Sequence, residues 1–186
     1  LPVAYSDGTN KKAREKVHNA STMAGMAFSN AFLGLCHSMA HKLGAQFHVP
    51  HGMANALLLT NIIRFNANDN PTKQAAFPQY EFPSVISRYS RAADYIAMSV
   101  NDEKNTEYVV TTPSMSQEEK VEALIQGIEK LKAELNIPSS IQAWGVSEED
   151  FLAVVDELSV KAFDDQCTGS NPRYPLISQI KQLYLD

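Results

Sequence analysis

Apolar side chains return every three or four positions along most of this chain, the spacing of helices rather than strands. From Lys11 to about Leu43 no proline interrupts. Met23, Ala24, Met26, Ala27, Phe28, Ala31, Phe32 and Leu35 predict a buried helical face rich in small residues. Gly25 and Gly34 each cost such a helix about 1 kcal/mol against alanine, tolerable where backbones approach closely. Gly44 is the natural residue to end it. Pro50 cannot continue a helix but can open one. The next helix is expected from about His51 to Asn66, with Met53, Ala54, Leu57, Leu58, Ile62 and Phe65 inward.

Elsewhere the pattern is punctuated. Residues 1–10 read as an irregular lead-in, and 66–83, with Pro71, Pro78 and Pro83, as a long loop. A helix is expected over 84–98, then an exposed polar connection over 99–115. Val109 to Thr112 favour a strand, but one short strand without a partner makes no sheet. Ser116 to Glu119 is a capping-box signature, and Val121, Leu124, Ile125, Ile128, Leu131 and Leu135 form the apolar stripe of the helix that follows. Pro138 closes that helix. Ser147 to Asp150 opens another, expected to bury Phe151, Leu152, Val155 and Leu158 and to run toward Phe163. TGSNPRYP, residues 168–175, reads as a loop, with a last helix from about Pro175. The fold class is all-α, in a single helical domain.

Composition narrows the function. The 186 residues hold 16 basic and 21 acidic side chains, a net charge of -5, which argues against a nucleic-acid partner. With 44% hydrophobic residues the chain can build a core. No apolar run reaches membrane-spanning length and no basic-then-apolar leader opens the chain, so no membrane partner is expected and the cytoplasm is the expected location. Cys36 and Cys167 lie too far apart in sequence for a disulfide scaffold or a CxxC metal site, and are expected as reduced thiols. No glycine-rich loop follows a strand, so the dinucleotide and P-loop fingerprints are absent. The chain opens on Leu1 without an initiator methionine, as a piece of a larger protein would.

Four of the five histidines, His37, His41, His48 and His51, crowd into one short stretch. His37 and His41 are four apart and share a helix face. His51 lies across the Pro50 turn, where it can point back into the same space. Imidazole suits iron and zinc, and two such histidines with a carboxylate from elsewhere would leave a site open to substrate. The plainer reading is of hydrogen-bonded core or surface histidines. HExxH is absent, which removes the common zinc-protease arrangement. Cys36 faces away from His37 and Cys167 is remote in sequence, which disfavours structural zinc. His18 and His48 are assigned no chemistry.

Residues 23–66, MAGMAFSNAFLGLCHSMAHKLGAQFHVPHGMANALLLTNIIRFN, closely resemble the iron-containing (group III) alcohol dehydrogenases. Within that family the closer resemblance is to the alcohol dehydrogenase part of bacterial bifunctional aldehyde-alcohol dehydrogenases. KAREKVHNAST at 12–22, FNANDNPTKQAAF at 65–77 and AFDDQCTGSNPRYPLI at 162–177 extend it over nearly the whole chain.

The resemblance implies an upstream α/β domain for NAD and a helical domain that carries iron, or zinc in some members. It implies that His37 and His51 are metal ligands, and that His41 stands near nicotinamide and substrate as the catalytic candidate. Cys167, Asn171 and Pro172 match a segment on the cofactor side of the cleft. The family's D-x-x-x-H pair has no counterpart here, so half the ligand set and the nucleotide-binding domain are expected upstream of Leu1.

The implied reaction is reversible hydride transfer between NAD and a short primary alcohol or its aldehyde, in a homo-oligomer or filament. A rival reading is an inert helical fragment or assembly module of that enzyme, without activity by itself.

Overall fold

The computed structural model describes residues 1–68, 84–99 and 108–186. Nine α-helices lie among them. In chain order they are α1 (Pro2–Ser6), α2 (Lys11–Ala31), α3 (Leu35–Phe47), α4 (His51–Asn66), α5 (Val85–Ser99), α6 (Gln117–Glu134), α7 (Ile141–Trp144), α8 (Glu148–Phe163) and α9 (Ile177–Leu185). A 3-10 turn, Thr168–Ser170, joins α8 to the final segment. No β-strand occurs among the described residues, as the helical spacing predicts.

The main core forms where α3, α4, α8 and α9 meet. Leu35, Met39, Leu43, Leu58, Val155 and Ile180 are closed off from solvent there, packed with Leu57, Ile62 and Leu158. Each such side chain is worth roughly 1.5–3 kcal/mol of burial. A second, smaller core lies between α5 and α6 and reaches α4 through Ile63. The α3–α4 pair is thereby held on both sides, and it carries the clustered histidines.

The helix starts follow local chemistry. Ser116 accepts from the Glu119 backbone N–H, and the Glu119 carboxylate returns to Ser116 N–H, a complete capping box. Ser147 accepts from Asp150 N–H at the head of α8. Pro50 precedes the first residue of α4, the expected place for a proline.

Several expectations need correction. Residues 2–6 form a short helix, not an irregular lead-in. The proline-free run from Lys11 is two helices, broken at Phe32, whose φ of 63° and ψ of -176° no helix contains. A tertiary contact makes the break. Ser170 Oγ donates to Leu33 O, and Asn171 Oδ1 accepts from Leu35 N–H at 3.1 Å, giving α3 its cap from the far end of the chain. Of the face expected to be buried, Leu35, which falls in α3, is closed off, but no residue of α2 is buried, and Met23 and Met26 keep 69% and 65% of their surface exposed.

Gly44 does not end α3. The helix runs on to Phe47 and stops at His48, in the left-handed region at φ 55°. At Gly44 a β-carbon would stand 3.0 Å from Val49 O, so its smallness admits the returning chain.

Leu152 is 49% exposed rather than buried, and Val109, placed in an exposed connection, is buried between α5 and α6. Helix α7 has no counterpart in the periodicity; four residues are too few to show one. The segment 168–175 is a loop, but Thr168, Asn171 and Arg173 within it are buried. The loop expected over 66–83 and much of the connection over 99–115 lie outside the described residues.

Candidate metal centre

His37 and His41 sit one turn apart on α3, and His51 is the first residue of α4. The left-handed His48 and Pro50 turn the chain back, so the three imidazoles converge. Ring centroids lie 5.2 Å apart for His37 and His51, 5.5 Å for His41 and His51, and 6.1 Å for His37 and His41. His37 and His41 are half-buried and His51 is exposed, so the group opens to solvent. Burial, then the neighbouring imidazoles of His51 and His41, hold the His37 pKa below its ordinary value. Keeping an imidazole neutral keeps its lone pair free for a cation.

Beside the rings lies a feature the spacing did not reveal. Asp165, just after α8, accepts from Lys42 Nζ at 2.7 Å and from Cys167 N–H at 2.9 Å, and its Oδ2 lies 3.3 Å from His41 Nδ1. Burial works against its charge, but the Lys42 ammonium, the Cys167 amide and His41 outweigh it and hold the carboxyl well below the usual range. The Cys167 thiol is pushed up to about 11 by burial and by Asp165.

Donor atoms of His41, Asp165 and Cys167 lie within 4.8 Å of one another. Imidazole, carboxylate and thiol together support a metal-binding site for a borderline first-row cation. Cys167, remote in sequence, is thus close in space, which corrects its exclusion on distance. The one sequence signal for Asp165 was its place two residues before Cys167.

Asn55 sets the other wall. Its Nδ2 lies 3.0 Å from His51 O and 3.3 Å from His51 Nε2, while its Oδ1 is buried without a hydrogen-bond partner. Cys36 faces away, its Sγ 3.6 Å from Asn55 O, and burial pushes its thiol up to about 12. His18 and His48 are exposed and stand outside the cluster.

The residues matched to the cofactor side are placed differently from one another. Pro172 is half-buried beside the α2–α3 break. Asn171 is buried with both side-chain ends engaged inside the fold: Oδ1 by Leu35 N–H, and Nδ2 by Asn66 Oδ1 and Arg173 O. Arg173, which the sequence pattern did not single out, donates to Phe65 O and stacks 4.1 Å over the Phe65 ring. This loop therefore holds the break before α3 and the end of α4 in place, and with them the histidines.

A family model described as the Fe-containing alcohol dehydrogenase family, C-terminal, matches residues 1–186. The chain is 57% identical over 187 residues to the bifunctional aldehyde-alcohol dehydrogenase of Escherichia coli, covering all of this chain and 20% of that protein. To the aldehyde-alcohol dehydrogenase of Clostridium acetobutylicum it is 54% identical, again over all of this chain and 20% of the relative. It thus spans about a fifth of the length of those curated relatives. The crystal structure of a 1,3-propanediol oxidoreductase superposes with a TM-score of 0.77 at 29% identity, over 99% of this chain and 40% of the other.

Proposed function

The chain belongs to the iron-containing alcohol dehydrogenase family, and on that premise we propose that it is the helical, metal-holding part of a larger NAD-linked alcohol dehydrogenase. The proposed reaction is reversible reduction of acetaldehyde or another short aldehyde to the primary alcohol, within a bifunctional aldehyde-alcohol dehydrogenase. The observation that carries it is the convergence of His37, His41 and His51 at the α3–α4 joint.

Iron, or zinc in its place, would be held by His37 and His51 together with ligands outside this chain. When bound, the metal supplies positive charge to the reacting oxygen and NAD accepts or returns the hydride. The chain's own residues do the rest. His41, beside both proposed ligands, positions the substrate and exchanges its proton. Asn55 limits where His51 can turn. Cys167, Asn171 and Pro172 shape the cofactor side, with Asn171 acting through the helix it caps.

The proposed partners are the short aldehyde or alcohol, an upstream nucleotide-binding domain, and further copies in an oligomer or filament, in the cytoplasm. Among the described residues no helix is long and apolar enough to cross a membrane. The exposed apolar face of α2 favours the view that this chain works within a larger assembly.

The test is turnover by the enzyme at the length of its relatives. NADH oxidation with acetaldehyde should vanish on chelation and return with ferrous iron. No turnover with any short aldehyde in the metal-loaded enzyme would overturn the proposal.

A further inference from the structure

Two neighbouring residues of α3, His41 and Lys42, reach one carboxylate. Asp165 Oδ2 stands 3.3 Å from His41 Nδ1 and 2.7 Å from Lys42 Nζ, and its Oδ1 accepts from Cys167 N–H at 2.9 Å. The side chain of Asp165 is 9% exposed, whereas that of His41 is 35% exposed. One partner is nearly buried and held by hydrogen bonds, and the other reaches solvent.

An ionised carboxylate only accepts hydrogen bonds. A ring nitrogen in contact with it must therefore bring the proton. In a neutral imidazole with its proton on Nδ1, the other nitrogen is left as a bare lone pair. Lys42 pairs with the carboxylate, and the backbone amide of Cys167 fixes the plane in which it accepts.

We propose that Asp165 is a positioning residue for His41, fixing the imidazole as the Nδ1–H tautomer so that Nε2, directed away from the carboxylate, is free to receive a proton. This rests on the reading of His41 as the proton-exchanging group. A purely structural Asp165, present for its Lys42 ion pair, would leave the His41 tautomer unspecified. An Asp165 that shares a metal with His41 Nδ1 would require that nitrogen to be bare instead.

The test reads the tautomer directly. The chain is labelled with 15N-histidine, and long-range proton–nitrogen correlations are recorded without metal at a pH where imidazole is neutral. His41→Gln identifies the His41 signals by their disappearance. The wild-type ring should show Nδ1 protonated and Nε2 bare. Lys42→Met should keep that signature although the ion pair is gone. Asp165→Asn should lose it, and Asp165→Glu should restore it at least in part.

Nε2–H as the main wild-type form overturns the proposal, as does an unchanged signature in Asp165→Asn. Should Asp165→Asn not fold, the wild-type and Lys42→Met spectra decide alone. In the full-length enzyme Asp165→Asn should keep its metal and lose on the order of 10–100-fold in turnover. Metal lost from that variant would make Asp165 a ligand and overturn the assignment. The spectra need neither metal nor turnover, so an enzyme that fails as a dehydrogenase would not alter what they show of Asp165 and His41.

Discussion

Asn171 caps a helix that begins 136 residues earlier, its Oδ1 accepting from Leu35 N–H at 3.1 Å. The same side chain donates to Asn66 and to the carbonyl of Arg173. Gly34, the residue just before α3, offers no side-chain cap of its own. Asn171→Ala should strand the Leu35 amide and the Asn66 side chain in a dry place, at a cost of about 2–3 kcal/mol. Urea denaturation of the metal-free chain would read this. Unchanged stability, with weaker nucleotide binding in the complete enzyme, would instead make Asn171 a direct cofactor contact.

Glycine at 127 is a packing requirement. A β-carbon there would lie 2.5 Å from Val109 Cγ2 and 2.6 Å from Tyr108 O. Gly127→Ala should therefore destabilise the α5–α6 unit by about 1–3 kcal/mol from overpacking, against a helix-propensity gain of about 1 kcal/mol. Gly25→Ala, with nothing within 4 Å of the added carbon, should not destabilise. Thermal melts of the two variants would separate packing from propensity.

What the sequence showed and what it hid follow from the range of the forces involved. Capping at Ser116 and Ser147 is local, and so was legible. The pairing of His37 with His41 is one helical turn, and Pro50 marks the turn that adds His51. The break at Phe32 was hidden because Ser170 and Asn171 impose it from the other end of the chain. Asp165 was hidden likewise, since nothing local ties a carboxylate after α8 to a histidine on α3. The apolar run of α2 predicts burial but not by what, and among the described helices α2 packs on little besides α1.

Acidification should report on Asp165. Its folded pKa is held below the ordinary 3.8. A depressed carboxylate contributes stability that is present above its unfolded pKa and lost as pH falls through the folded value. Asp165→Asn should thus be less stable than wild type at neutral pH, with the gap closing on titration below about pH 4. Denaturation midpoints at stepped pH would show it, and a gap that stays constant into acid would mean that the charge on Asp165 stabilises nothing.

Metal retention separates the three histidines. Ligation by His37 and His51 predicts that His37→Ala or His51→Ala, in the full-length enzyme, loses metal first and activity as a consequence. His41→Gln should cut turnover while leaving metal content intact. Normal iron occupancy in either alanine variant would refute the ligand placement, and metal loss in His41→Gln would make His41 a ligand. Two imidazoles alone hold a cation poorly, because structural and catalytic sites use three or four protein ligands. This 186-residue chain should consequently retain little iron or zinc after anaerobic loading and desalting. Retention near one metal per chain would mean that the ligand set is completed locally. Asp165 and Cys167, within 4.8 Å of His41, would then be the first residues to substitute.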